Sequence, residues 1–234
     1  MSEVEFGLAI VATINAAIRF SVPITLGALC GLLNERSGIV NIGIEGMMLM
    51  SAFTGFMAHV FLSRPEIDPA LQAGPVRLTL ALGVALLTGA LLGLLHGILS
   101  IQYKIDQIIS GTVLNILALG LTGYLYQREA PTLGKLPNLI SNPWPRSESV
   151  ELSLADNFTF YLPHDIGRIL FDKDLITYLS IVLVFVIGWA LYHTTWGLRT
   201  RSIGENPRAA DTLGIDVYRL QYTNLMLGGM MAGM

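Results

Sequence analysis

Apolar residues in this chain neither alternate with polar ones nor recur at helical spacing between charges. They run on in long blocks that stop at short polar punctuation, the pattern of membrane-crossing helices rather than of a half-buried sheet or an amphipathic bundle. Six blocks stand out: about Leu8 to Leu33, Ile39 to Leu62, Leu78 to Ile101, Ile105 to Tyr126, Leu175 to Tyr192, and one starting near Leu220. Each is compatible with about 20 residues of helix spanning roughly 30 Å of hydrocarbon. The pattern predicts an all-α, polytopic transmembrane helix bundle forming a single domain over residues 1–234. The last block, "LMLGGMMAGM", carries no helix stop and no flanking charge, so the chain is expected to be the N-terminal part of a longer membrane protein.

The connections alternate between short and long. "NERSG" and "QYK" read as tight turns. The segment from Arg128 to Asp174 is long and holds Pro131, Pro137, Pro143, Pro145 and Pro163. Such a loop cannot cross lipid, where its backbone polar groups would go unpaired. The segment from His193 to Arg219 carries Arg199, Arg201, Arg208 and Arg219, the densest basic stretch. An excess of arginine marks a cytoplasmic loop. Counting helices backwards, Lys104 and Arg36 are then cytoplasmic as well, and the acidic N-terminus and the Pro-rich loop lie outside. Arg64, Arg77 and the basic residues of the long loop dilute that bias.

Composition agrees with the pattern. Charged residues make up 13% of the chain, about half the share of a soluble domain. A net charge of −3 with no basic patch gives no footprint for nucleic acid. The single cysteine, Cys30, lies in an apolar run, has no internal disulfide partner, and reads as a small packed residue. "MSEVEF" is acidic and is not the basic start of a signal peptide. Arg19 falls inside the first block, where an arginine at the bilayer centre is costly. A span starting later, near Arg19, lets the guanidinium reach the outer interface and leaves Val4 to Ile18 as a lead-in helix lying against the bundle. An ion pair with Glu45 is the alternative. Gly83, Gly89, Gly93 and Gly97 repeat at about four-residue spacing, which lets helix backbones approach closely in a membrane.

Three stretches carry candidate chemistry. In "NERSGIVNIGIEG", Asn41 and Glu45 are four apart and are expected on one helical face, flanked by Gly43 and Gly46. The stretch reads as a broken half-helix, tolerated only where it lines a cavity or is buried in protein. Glu45 there either accepts hydrogen bonds from a substrate, or satisfies backbone N–H groups or pairs with Arg36. The fourth block opens "IDQIISGTVLN", where Gln107, Gly111 and Asn115 fall on one face and Ser110 and Thr112 add hydroxyls. That face is either an interhelical hydrogen-bond seam or the polar wall of a translocation path. His59 and His96 near helix ends read as packed or interfacial. In "GLRTRSIGENPRAADTLGIDV", Asn206 suits an N-cap and Pro207 the first helical position, Arg208 to Leu213 make about two turns, and Gly214 fits the stop. The result is a short cytoplasmic helix with small Ala209 and Ala210 and an apolar tip, Leu213. It either docks in a groove of another protein or rests on the lipid surface. No phosphate loop, nucleophile elbow or HExxH motif occurs, "LGKL" at Lys135 lacking the residues a phosphate loop needs.

"LCGLLNERSGIVNIGIEGMMLMSAF", "DQIISGTVLNILALGL" and "GLRTRSIGENPRAADTLGIDV" resemble the permease subunits of bacterial ABC importers that handle branched-chain amino acids, ribose-type sugars and nucleosides. "ERSGIVNIGIEGMM" is similar to the nucleoside and simple-sugar branch. The resemblance covers essentially the whole chain and is weakest in the Pro-rich loop. It implies a multi-pass inner-membrane permease of about eight to ten spans, paired with a second permease that the branch resemblance makes a paralogue, two cytoplasmic ATPases that bind ATP, and an external substrate-binding lipoprotein. The chain itself would hold no metal or cofactor and have no enzymatic role. The resemblance places the ATPase-coupling helix on Glu205, Asn206, Pro207, Arg208, Ala209, Ala210, Asp211, Leu213 and Gly214. It places a path-lining broken helix on Gly38 to Met47, which adds weight to Asn41, Glu45, Gln107, Ser110 and Asn115 as substrate-path residues. The rival is a proton- or sodium-coupled secondary transporter with Glu45 as the coupling carboxylate, which leaves the capped cytoplasmic helix without a role. A membrane-embedded enzyme lacks any nucleophile–base or metal constellation.

Overall fold

The computed structural model describes residues 3–64, 68–72, 74–133 and 175–234. In chain order the helices are α1 (Glu3–Arg36), α2 (Ile44–Leu62), α3 (Pro69–Gln72), α4 (Gly74–Gly97), α5 (Gln107–Leu133), α6 (Leu175–His193), α7 (Thr195–Glu205), α8 (Pro207–Thr212) and α9 (Val217–Gly233). A π-helical turn, Ile98–Gln102, follows α4. Five of the described helices are long and apolar enough to cross a membrane, over Thr13–Arg36, Ile44–Leu62, Gly74–Gln102, Gln107–Arg128 and Ile176–His193. The sixth expected span is α9, with 17 described residues. The molecule is an all-α polytopic bundle, as the block pattern predicts.

Several boundaries differ from the expectation, each for a local reason. No separate lead-in helix precedes the first span. α1 runs unbroken through Arg19 and Pro23; Phe20 points outward at 72% exposure, while Val22, two residues on, is buried. Asn34, Glu35 and Arg36 belong to α1, so the turn is confined to Ser37 and Gly38, whose φ of +83° requires glycine. α5 continues past Arg128 to Leu133; the rest of the Pro-rich stretch, 134–174, lies outside the described residues. The basic stretch read as loop from 193 onward contains α7. Thr194 caps it by accepting from the Gly197 N–H at 3.1 Å.

The centre of the bundle is the crossing of α4 and α9. A Cβ on Gly89 would collide with the Gly229 carbonyl, one on Gly93 with the Leu225 carbonyl, and one on Gly233 would sit 2.6 Å from the Ala85 carbonyl oxygen. Backbones this close gain dispersion along their whole length, the main attraction open to helices in lipid, whose tails are as apolar as leucine. Gly83 takes no part: nothing lies within 4 Å of its Cβ position, so the stripe begins at Gly89, later than expected. α1 joins α6 through Leu29, Leu33, Ile187 and Leu191. It joins α2, α5 and α9 through Cys30, Met47, Leu114 and Ala232. Large outward side chains such as Phe20, Leu87, Ile116 and Phe185 suit contact with acyl chains.

Gly89→Leu forces a branched side chain into the α4–α9 backbone contact, at a cost of about 1–3 kcal/mol or more. It is expected to lower the detergent-stable yield of full-length protein severalfold, whereas Gly83→Leu leaves it unchanged. Thermal-challenge size-exclusion chromatography of the two variants reads the difference, and equal yields would refute the seam.

Candidate functional site

Between α1 and α2 the chain leaves helical geometry over 37–43 with one side against the protein, Gly38, Val40 and Ile42 remaining exposed. Ile39 and Asn41 are buried. Much of the backbone of this segment is paired by groups from neighbouring elements. The Asn34 carbonyl accepts from the Ser37 and Ile39 N–H groups at 3.0 and 3.1 Å and from the Ser37 hydroxyl at 2.7 Å. The Val40 N–H donates to Gln107 Oε1 at 2.8 Å. The Ile42 carbonyl accepts from Asn115 Nδ2 at 3.1 Å. The Gly43 N–H donates to Asn41 Oδ1 at 2.9 Å, and the Gly46 N–H, one of the free donors of the new helix, donates to Asn115 Oδ1 at 2.7 Å.

His96 supplies the remaining clamp. Its ring is fully buried, with Nε2 3.2 Å from the Val40 carbonyl and Nδ1 3.0 Å from the Ser110 hydroxyl. A carbonyl cannot donate, so Nε2 carries the proton; in the neutral ring Nδ1 then accepts from Ser110. Three glycines permit this approach. A Cβ on Gly111 would lie 2.7 Å from the Gly43 nitrogen, and one on Gly46 would lie 2.8 Å from the Asn115 Cα. The start of α2 therefore rests on the backbone of α5, near enough for the Asn115 amide to bridge Ile42 and Gly46.

The sequence-predicted residues separate in this arrangement. Gln107, Ser110 and Asn115 come together on the face of α5 that meets the broken segment, with Gly111 between them, and their polar atoms bond to that segment or to His96. Thr112 turns away and bonds to its own helix at the Ile108 carbonyl, 2.8 Å. Asn41 and Glu45 do not share a helical face, because α2 begins only at Ile44. Asn41 instead caps the turn before it. Glu45 is exposed in the first turn of α2, where a carboxylate complements the positive helix end. Among the described residues it forms an ion pair with neither Arg19 nor Arg36. Of the packed and interfacial alternatives for His96 the ring is packed, and its place on the Gly89–Gly93 face of α4 was the signal that it also needs polar partners nearby.

The second candidate element is α8. Asn206 accepts from the Ala209 N–H at 3.1 Å and Pro207 opens the helix. It spans Pro207–Thr212 rather than Arg208 to Leu213, and Glu205 belongs to the end of α7. The Ile215 N–H closes back on the Ala210 carbonyl at 3.2 Å, and Gly214 takes a φ of +80°, a glycine-terminated helix end. Ala210 is buried against Ile203 of α7 and Val217 of α9. Ala209 is exposed, and Leu213 is 80% exposed at the tip. Among the described residues no group of three or more His, Cys, Asp or Glu side chains could hold a metal ion.

The family described as branched-chain amino acid transport system, permease component, matches residues 13–234. The chain belongs to that family. It is 32% identical over 94% of its length to the guanosine ABC transporter permease protein NupQ of Bacillus subtilis, covering 64% of that protein. It is 32% identical over 92% of its length to the nucleoside ABC transporter permease protein NupC of Lactococcus lactis, covering 62%. It is 30% identical over 94% of its length to the putative glucose ABC transporter permease protein TsgC13 of Haloferax volcanii, covering 60%. The chain thus spans just over three-fifths of the length of these curated relatives. A second Bacillus subtilis guanosine permease protein, NupP, matches at 26% identity. No solved structure matches the chain. Family membership and the five apolar spans make this permease a multi-pass protein of the cell membrane.

Asn115→Leu removes two hydrogen bonds, a part-buried one from the Gly46 N–H and an exposed one to the Ile42 carbonyl, a loss of about 1–3 kcal/mol that falls mainly on the Gly46 N–H. The purified permease is expected to lose several degrees of thermal stability, while Thr112→Leu, whose hydroxyl serves only its own helix, changes it by less than about a third as much. Matching melting curves for the two variants would show that Asn115 does not hold the segment.

Proposed function

We propose that the chain is the membrane-spanning permease subunit of an ATP-driven importer that moves a nucleoside, or failing that a simple sugar, inward. The observation that carries this reading is α8: a capped, glycine-terminated helix of a turn and a half, held from behind by Ala210 and presenting Ala209 and Leu213 outward. A helix so fixed is suited to receive force from a protein docked against it. The names of NupQ, NupC and TsgC13 support the substrate classes.

In this reading the chain performs no chemistry. ATP is bound and hydrolysed by two cytoplasmic ATPase subunits, solute is delivered by an external substrate-binding lipoprotein, and a second permease completes the path. That second permease is a paralogue rather than an identical copy, as the two guanosine permease proteins of Bacillus subtilis suggest by analogy. Residues 193–219 lie on the cytoplasmic side, and the exposed Glu45 lines the path beside a broken segment that Asn41 and the α5 face hold in place.

Ala209→Arg places a long charged side chain on the outward face of α8, where a close fit would have to desolvate it. Because Ala209 is exposed in the chain itself, membrane insertion is expected to stay normal while co-purification with the ATPase encoded alongside, or uptake, falls at least tenfold. Uptake and ATPase binding at parental levels would remove α8 as the coupling element.

Glu45→Gln keeps the shape of the side chain and deletes its charge. It is expected to lower uptake severalfold with ATPase assembly intact, and uptake should still depend on ATP and not on a proton or sodium gradient. Gradient-driven uptake by the parental protein, abolished by Glu45→Gln, would instead establish the ion-coupled transporter.

A further inference from the structure

α8 and the broken segment are far apart in sequence, yet the end of α7 lies directly against the turn that begins the segment. A Cβ built on Gly204 would collide with the Arg36 carbonyl oxygen and lie 3.4 Å from the Gly38 nitrogen; one on Gly38 would lie 3.3 Å from the Gly204 Cα. Gly38 is in the left-handed region at φ +83°, so this is backbone resting on backbone at two glycines. Beside it, the Gln221 amide of α9 donates to the Ser37 carbonyl at 3.1 Å, a buried bond between residues 184 positions apart. One turn further along α9, the fully buried Asn224 donates to Thr200 of α7 at 3.2 Å. Ile203, immediately before Gly204, is fully buried against Ala210 of α8 and Val217 of α9.

These contacts form a continuous series. Ala210 is packed on Ile203; Ile203 is bonded to Gly204; Gly204 touches Arg36 and Gly38; and Gly38 leads into the segment that His96, Gln107 and Asn115 hold from the other side. Neither glycine contact has a flexible side chain to absorb a displacement, since backbone meets backbone and interiors of this density transmit strain. We propose that the Gly38–Gly204 contact, with the Gln221–Ser37 hydrogen bond beside it, is the joint through which movement of α8 reaches the broken segment 37–43. The inference rests on the importer reading above, and it assigns Gly38, Gly204 and Gln221 as positioning residues that touch neither solute nor ATPase. A series of contacts is a candidate route only, and the physical test is whether a change at one end alters the response at the other.

The test uses the full-length permease assembled in lipid with the ATPase encoded alongside. Val40→Cys puts a reporter on the segment, where the side chain is 46% exposed; the native Cys30 is buried, and the parent without Val40→Cys gives the background. The rate of maleimide labelling is measured without nucleotide and with ATP plus vanadate. The two rates are expected to differ at least threefold in the parent reporter, and their ratio to fall to about one in Gly204→Leu and in Gln221→Met, with the ATPase still bound. A role in packing alone would lower the amount of assembled complex and leave the ratio of what remains unchanged. A ratio preserved in both variants overturns the joint, as does a parent ratio of one with the ATPase bound. Loss of both variants from the membrane assigns the contact to folding and also overturns it. A parent that never co-purifies with the ATPase sinks the importer reading instead, an outcome distinct from all of these.

Discussion

A backbone polar group buried without a partner costs about 1–3 kcal/mol, and between the span that ends at Arg36 and the one that begins at Ile44 this chain runs residues 37–43 outside any helix, packed against the bundle. The surrounding structure can be understood as the set of conditions that makes the run tolerable. Donors and acceptors must come from neighbours, so α4 supplies His96 and α5 supplies Gln107 and Asn115. Those side chains are short, so the backbones must meet, which places glycine at 43, 46 and 111. An exposed half-helix start follows, with Glu45 at its first turn.

The same economy of space organises the rest of the bundle. Without a hydrophobic drive between helices in lipid, association depends on close packing and on the few hydrogen bonds that cross between helices. α4 and α9 therefore cross at Gly89, Gly93, Gly229 and Gly233, and α7 meets the end of α1 at Gly204 and Gly38. The α4 helix serves both purposes, since the turn that follows its glycine face presents His96 to the broken segment. Packing and polar satisfaction are thus coupled through one helix, and loosening the α4–α9 crossing would also displace a clamp on residues 37–43.

In the importer reading proposed above the driving reaction occurs in another subunit, and that reading asks of this chain a surface that receives force and a segment that responds to it. α8 has the first character: fixed from behind by Ala210, terminated by Gly214, and apolar at its outward tip. The broken segment has the second, because side-chain hydrogen bonds rather than a continuous helix hold it, and such bonds can exchange partners without unravelling a helix.

The spans were legible in the sequence because length and apolarity are properties of a segment alone, set by bilayer thickness. The caps of α8 were legible too, since Asn206, Pro207 and Gly214 act within a few residues of themselves. The family resemblance followed from three motifs in order. What the sequence could not determine was the partner of each polar side chain. Gln107, Ser110 and Asn115 could be placed on one face of α5, but a seam and a path wall have the same periodicity. Only the tertiary structure brought that face against residues 40–46, and only it moved Asn41 off the helix that carries Glu45 in its first turn. Gly83 and Gly89 looked equivalent in the stripe; α9 decided between them by crossing at one and not the other. The physical reason is common to all of these: periodicity fixes which residues share a face, while the energy of a buried polar group or a missing Cβ depends on the atoms opposite, which belong to a distant part of the chain.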